Sequence, residues 1–335
     1  MLNDINSLPN NILECESNKL HEILTGPTLI HLPGRCPEPL FVSVLLHGDE
    51  YTGWLAVREL LREYAARELP RSLSLFIGNV QAARYDRRFL DGQQDYNRIW
   101  TDIHGFEYTA ERGMTRKVIE TMKARKVFAS IDIHNNSGIN PHYACLRRLD
   151  HQYFHLATLF SRTVVYFTKP DGLQTQAFSE ICPAVTVECG PPGQIWGVEH
   201  ALSYLKTCLN LSEIPSHPIA ADDIDLFHTV AVIKVPEWVS IGSIRDDVDL
   251  RLVDNLDHLN FRELPANTTI GWLRTGSDKR LEVWDENGSD VSERFFHIND
   301  GEVRTNVPVM PSMFTPNVRA IRQDCLGYLM ERHTV

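Results

Sequence analysis

The stretch Leu40-Phe-Val-Ser-Val-Leu-Leu-His-Gly-Asp-Glu50 decides how the rest of the chain reads. Residues 40–46 are an apolar run rich in aliphatic and β-branched side chains, the pattern of a buried strand. The run stops abruptly at His47-Gly48-Asp49-Glu50. Beyond it Trp54, Leu55, Val57, Leu60 and Leu61 recur at three- and four-residue spacing, which predicts a helix over 52–67. His47 and Glu50 therefore stand where a buried strand meets a helix N-terminus. In α/β sheets, ligands bind at the carboxyl ends of strands.

A His and a Glu three residues apart can turn to one side as the chain bends into a helix. An imidazole and a carboxylate are both zinc ligands, and catalytic zinc takes three protein ligands and a water. His104 and Glu107 repeat the spacing, but no strand precedes them and they read as loop.

Working outward, short apolar runs predict strands over 28–32, 73–77, 127–133, 163–167 and 184–187. Helical patterns cover 114–126, 151–161 and 195–210, with a short helix over 20–24. Strands alternating with helices indicate a layered α/β domain. Residues 81–98 keep no period and carry Arg84, Arg87, Arg88 and Arg98, which predicts an ordered functional loop. After residue 213 the texture changes. Ile214-Pro-Ser-His-Pro218 reads as a linker, and Asn287-Gly288 and Asp300-Gly301 are hairpin signals. The expected division is an α/β domain over 1–213 and a smaller β-rich domain over 219–335.

Composition narrows the class. Of 335 residues 43% are hydrophobic and 23% charged, ordinary for a globular protein. A net charge of −11 argues against nucleic acid or an anionic membrane as partner. No apolar run is long enough to span a bilayer, and the first residues do not read as a signal peptide. The seven cysteines are scattered and form no C-x-x-C pair, which predicts reduced thiols and a cytoplasmic location. Oligomeric state stays open, a homo-oligomer included.

Two further strand ends carry polar chemistry. His134 directly follows one apolar run and Glu188 follows another. His47, Glu50 and His134 make a His₂Glu set of the kind catalytic zinc uses, holding one Zn²⁺ per chain. Glu188 is then the candidate general base. Taken singly, each has a plainer reading, a satisfied histidine or a salt-bridged carboxylate at a strand end. The arginines of the 81–98 loop offer a cation for developing negative charge or for a substrate carboxylate.

In order along the chain, His47-Gly-Asp-Glu50, Arg88-Phe-Leu-Asp91, Asp95-Tyr-Asn-Arg98, Asp132-Ile-His-Asn135 and Val187-Glu-Cys-Gly-Pro-Pro-Gly193 can be set against known motifs. They resemble those of the succinylglutamate desuccinylase/aspartoacylase branch of the zinc carboxypeptidase-like metallopeptidase family. The resemblance spans about residues 40–200. It implies a three-layer α/β/α domain with a mixed central sheet and a C-terminal β domain. It implies His47, Glu50 and His134 as zinc ligands and Glu188 as the base that activates the zinc-bound water. Arg88 would polarise the scissile carbonyl, Asn97 and Arg98 would grip the substrate carboxylate, and Asp95 would hold His47.

The chain also departs from the family pattern. Asp49 stands where Asn is usual, and a short insertion before Arg98 makes Arg87 an alternative to Arg88. Phe178 occupies the place of an arginine that reads the aspartate side chain in aspartoacylases, which speaks against N-acetylaspartate as substrate. His142 and Tyr143 read equally as pocket lining or as structural residues. The expected activity is hydrolysis of an N-acyl amino acid. A metallocarboxypeptidase acting on short peptides is the alternative, and a non-catalytic metal-binding protein the third reading.

Overall fold

The computed structural model describes residues 2–101, 109–274 and 280–335, so the His104 and Glu107 pair lies outside the described residues. The chain forms two compact units. The first holds the residues up to Asn135 and His142–Asp225; the second holds Asn136–Pro141 and Leu226–Thr334.

In chain order the first unit contains β1 (Asn3–Ile5), β2 (Thr28–Leu32), β3 (Gly34–Val44), α1 (Thr52–Glu63), β4 (Leu69–Ile77) and α2 (Val80–Ala83). It continues with α3 (Ala110–Ala124), β5 (Ala129–His134), β6 (Tyr143–Leu146), α4 (His151–Thr158), β7 (Thr163–Tyr166), α5 (Gln174–Phe178), β8 (Ala184–Glu188) and α6 (Ile195–Asn210). Its strands lie in the order β1-β2-β4-β3-β5-β8-β6-β7. The sheet is mixed: β4, β3, β5 and β8 run parallel, while β2 and β6 join them antiparallel. The parallel centre is why β3, β5 and β8 read as largely apolar runs, since such strands are covered on both faces.

Register assigns the two faces. Ser43 pairs with Asp132 and Asp132 with Thr186, so these side chains share one face. Phe41 and Ser130, each two residues earlier, share it too. On this face Phe178 stacks on Phe41 with ring centroids 4.3 Å apart, and Gln174 Nε2 donates to Ser130 Oγ, which places α5 here. Val44 and Ile133 point the other way. A Cβ added to Gly53 would lie 2.9 Å from Val44 Cγ1 and 3.0 Å from Ile133 Cβ, so α1 packs tightly on that opposite face. With helices on both faces the unit is a three-layer α/β/α sandwich.

Several boundaries differ from the sequence expectation. The helix expected over 52–67 ends at Glu63, because Ala65–Glu68 are exposed and offer no apolar face to bury. The strand expected over 40–46 ends at Val44, because Leu45 takes the left-handed conformation with φ 56 and turns the chain. The helix expected over 114–126 starts earlier, at Ala110, where Thr109 accepts a hydrogen bond from the Arg112 N–H as N-cap. Over 20–24 the chain forms a 3₁₀ turn, Ser17–Glu22, instead of an α-helix. Strand β6 has no counterpart in the sequence reading: four buried residues without alternation carry too little periodic signal.

The second unit is β-rich. Strand β9 (Asp225–Lys234) pairs antiparallel with β13 (Glu282–Asp285) and with β17 (Gly327–Arg332), and β17 with β16 (Met310–Ser312). A five-stranded sheet runs β10 (Ile241–Ser243), β11 (Leu250–Leu252), β12 (Thr269–Leu273), β15 (Glu302–Thr305), β14 (Phe296–Asn299). Asp300 and Gly301, both at positive φ, form the two-residue turn between β14 and β15. Ile233, Leu250, Leu256, Val283 and Leu326 are among the residues of its apolar core. The segment after Asn135 belongs to this unit: Ser137 Oγ donates to Thr315 Oγ1, and the Met313 N–H to Asn140 Oδ1. Among the described residues no helix is long and apolar enough to cross a membrane.

Phe178 anchors α5 on the sheet through Phe41 and Trp100. Phe178→Ala is expected to cost about 3–5 kcal/mol of stability, read as a lowered urea midpoint at unchanged slope. A loss below about 1 kcal/mol would show that α5 is not held by this stack.

Candidate metal centre and active site

His47 is aimed by the turn that ends β3. The N–H groups of Gly78 and Asn79 donate to the carbonyls of Val44 and Leu45 at 3.0 and 2.6 Å, fixing the backbone where Leu45 reverses. Gly48 follows because nothing larger fits: a Cβ there would lie 2.2 Å from the Ala83 nitrogen and 2.7 Å from the Arg87 carbonyl oxygen. Its N–H donates to the Arg88 carbonyl at 3.1 Å, so the turn bearing the first two candidate ligands is tied directly to the arginine loop.

The turn brings Glu50 beneath both imidazoles. Nδ1 of His47 lies 2.7 Å from Glu50 Oε1, and Nδ1 of His134, at the end of β5, lies 2.7 Å from Oε2. One ligand atom from each of these three buried residues falls within 4.8 Å of the others. The far ring nitrogens are held from behind. His47 Nε2 is 3.0 Å from Asp95 Oδ1, and His134 Nε2 is 2.9 Å from Asp132 Oδ2. Asp132 is held in turn by a 2.6 Å hydrogen bond from Ser43 Oγ. Backing carboxylates of this kind fix the tautomer and orient a ligand histidine. Two imidazole nitrogens and a carboxylate oxygen, converging and oriented, fit a zinc ion.

Electrostatics follow from the packing. Burial pushes the Glu50 carboxyl up, but the two imidazoles outweigh it and hold the group far below the usual carboxylate range. Burial and Arg88 push His47 down; Glu50 and Asp95 outweigh them and raise it. Burial likewise depresses His134, and Asp132 and Glu50 lift it well above its ordinary value. Burial opposes ionisation of Asp95 too, and His47 and Arg88 keep it well below the ordinary value. Asp49 goes the other way, raised by burial and by the neighbouring Glu50 charge.

The loop arginines separate cleanly. Arg88 reaches inward, with Nη2 3.1 Å from Asp95 Oδ2 and Nη1 3.6 Å from Glu50 Oε1. Arg87 is half exposed, 3.7 Å from the fully exposed Asp91. Asp95 is the junction of this loop: besides His47 and Arg88 it accepts the Asn97 N–H at 2.7 Å. Arg98 Nη1 donates to the Asn97 carbonyl at 2.9 Å. Asn97 Oδ1 is buried and no donor among the described residues reaches it, which leaves an acceptor beside Asp95.

Glu188 is the last residue of β8. It is in register with His134 on the parallel neighbour and with Tyr143 on the antiparallel one. Its backbone therefore lies one strand spacing, about 4.8 Å, from that of a candidate ligand, and the two side chains share a face. It is 5% exposed. The Cys189 N–H donates to the His134 carbonyl at 3.0 Å and holds the two strand ends together. Tyr143 is buried beside Glu188, whereas His142 lies near His200 and Phe160, with centroids 4.8 and 6.1 Å away. Burial and His200 lower the His142 pKa. Phe178 is wholly buried in the aromatic stack and presents nothing to a ligand.

Sequence reasoning gave no role to Asp132, Ser43 or Thr52. Asp132 was findable, since two residues before a candidate ligand on a strand is the same face. Ser43 was not, because its link to Asp132 crosses strands 89 residues apart in sequence.

Two oriented imidazoles, a carboxylate and an adjoining glutamate at the strand ends of a mixed sheet have the layout of a metallohydrolase. Residues 39–213 match the succinylglutamate desuccinylase/aspartoacylase catalytic domain, and the chain belongs to that family of hydrolytic deacylases. The fold is shared with the succinylglutamate desuccinylase from Chromobacterium violaceum, at 17% identity over 90% of this chain and 86% of that one, TM-score 0.56. A succinylglutamate desuccinylase/aspartoacylase from Rhodobacter sphaeroides matches at 15% identity over 90% and 88%, TM-score 0.59. Murine aminoacylase 3 matches at 15% identity over 90% and 97%, TM-score 0.57. At such identities the likeness is one of fold. A comparison with curated sequences found no match.

Asp132→Asn removes the charge behind His134 and keeps its shape. Metal affinity is expected to fall about 10–100-fold, measured by competition with a chromogenic chelator. Unchanged affinity would mean that His134 needs no such support.

Proposed function

We propose that the protein is a zinc-dependent amidohydrolase that removes the acyl group from an N-acyl amino acid or a similar small carboxylate. The observation that carries this reading is the convergence of His47, Glu50 and His134, with Glu188 in register beside His134. A zinc ion held by those three residues supplies Lewis acidity for the carbonyl and for water.

The chain's own groups do the rest. Glu188 takes a proton from the attacking water and passes it to the leaving amine. The Arg88 guanidinium, already set against Glu50 and Asp95, balances the negative charge that develops on the scissile carbonyl oxygen. Asn97 and Arg98 grip the substrate carboxylate, with a planar fork suited to it on Arg98. Asp95 joins the two halves of this machinery, because one carboxylate touches His47, Arg88 and the Asn97 amide. Phe178 offers no cation for a side-chain carboxylate, so N-acetylaspartate is expected to be a poor substrate. We assign the hydrolytic machinery to residues 1–213, with 219–335 as an accessory β-rich domain. Seven free thiols suit the reducing cytoplasm, where we place the enzyme.

Glu188→Gln should keep its zinc and lose turnover by about 10²–10⁴-fold. His134→Ala should instead lose zinc. If the Gln variant lost its metal, or kept full activity, the division of roles would be wrong. Amine release from a panel of N-acyl amino acids and short peptides, with and without chelator, tests the substrate class. Chelator-sensitive release from an N-acyl amino acid is expected. Cleavage of peptides alone would move the protein to the metallocarboxypeptidases, and no cleavage by zinc-loaded protein would overturn the proposal.

A further inference from the structure

Asn135 follows the candidate ligand His134 and is 5% exposed. Its backbone N–H and both ends of its side-chain amide are engaged with other parts of the site. Its backbone N–H donates to Glu50 Oε2 at 3.1 Å, the same oxygen that faces His134 Nδ1. Its side-chain Oδ1 accepts the Thr52 N–H at 3.2 Å, and its Nδ2 donates to Thr52 Oγ1 at 2.9 Å. The second Nδ2 hydrogen goes to the Gly190 carbonyl at 2.7 Å.

Those partners lie on two segments besides the one that carries Asn135. Thr52 opens α1, two residues after Glu50. Gly190 is two residues after Glu188, in the left-handed conformation with φ 70. Asn135 itself continues β5 from His134. The first turn of α6 seals the same joint, since a Cβ on Gly197 would lie 2.5 Å from the Cys189 carbonyl oxygen and 3.7 Å from Thr52 Cγ2. No other residue type offers an acceptor and two donors on so short an arm. Aspartate would replace both donors by an acceptor oxygen facing the Gly190 carbonyl and the Thr52 hydroxyl. Alanine would leave buried groups on two segments unpaired, which costs more than the hydrogen bonds themselves contribute.

We infer that Asn135 is a positioning residue that sets the spacing between the metal-binding pair Glu50 and His134 and the general base Glu188. It touches neither substrate nor metal; it acts through Glu50, Thr52 and the Gly190 turn. The inference rests on the proposed metal site and base, and goes beyond them by naming what holds one at a fixed distance from the other. The hub is distinct from the backing aspartates. Asp95 and Asp132 each orient one imidazole, whereas Asn135 joins the segments that carry two candidate ligands to the one that carries the base.

The test uses the full chain stripped of metal and titrated with zinc in competition with a chromogenic chelator, beside a melting curve for each variant. Asn135→Ala is expected to weaken zinc affinity about 10–100-fold, as removal of outer supports does. Thr52→Val deletes one partner and should weaken it about 2–10-fold, the effect of one buried hydrogen bond. Thr52→Ser keeps the hydroxyl and should match the wild type. The Thr52 pair decides the matter if Asn135→Ala does not fold. A residue that merely held the fold would lower the melting temperature and leave zinc affinity of the folded protein unchanged. Affinities within twofold of a zinc-binding wild type in both Asn135→Ala and Thr52→Val overturn the inference alone. A wild type that binds no zinc overturns the metal reading and this inference with it.

Discussion

One buried carboxylate organises the site. Glu50 is held ionised between two imidazoles, each 2.7 Å from one of its oxygens. An ionised carboxylate without partners would be strongly disfavoured at that burial. The arrangement therefore works only as a whole. Asp95 and Asp132 sit behind the histidines, Arg88 balances Asp95, and the Asn135 backbone N–H donates to Glu50. Fixed in advance, the three candidate ligands need little rearrangement to hold a divalent cation, and the same tightness fixes Arg88 beside Glu50 and Asp95.

The sheet makes that convergence possible. Period-two alternation sends Ser43, Asp132, His134 and Glu188 to one face, and parallel registry of β3, β5 and β8 aligns them across strands. The opposite face is apolar and takes α1 so closely that Gly53 has no room for a side chain. Close packing there fixes the height of the α1 N-terminus, and with it Glu50. The spacing of the candidate site residues thus rests on ordinary sandwich packing. A shift of one residue in the β5–β8 register would turn Glu188 away from His134 altogether.

Much of this was legible beforehand. His47 and Glu50 stood out because an apolar run broke off at them, and His134 and Glu188 because two more runs did the same. The expected α/β/α layering with a mixed sheet is what the chain adopts, and α6 spans the expected residues. What failed was local and explicable. Strand β6 is too short to show a period. Residues 45 and 46 continue the apolar run, yet pairing stops because Leu45 turns the chain. Of two adjacent arginines, neither pattern nor composition told which one turns inward, since that depends on the Gly48 to Arg88 backbone hydrogen bond.

By itself, then, the sequence determined what is encoded over a few residues: strands and helices, the turn chemistry of His47-Gly48-Asp49-Glu50, and the residue types that can bind a metal or move a proton. Tertiary structure decided what depends on residues far apart in the chain. It turned Arg88 inward and Arg87 outward, stacked Phe178 on Phe41, set Ser43 behind Asp132, and gave Asn135 partners on two other segments. The physical reason is that hydrogen bonding and packing act across about 3–4 Å of space. Only the folded sheet brings residues 43 and 132, or 52, 135 and 190, within that range.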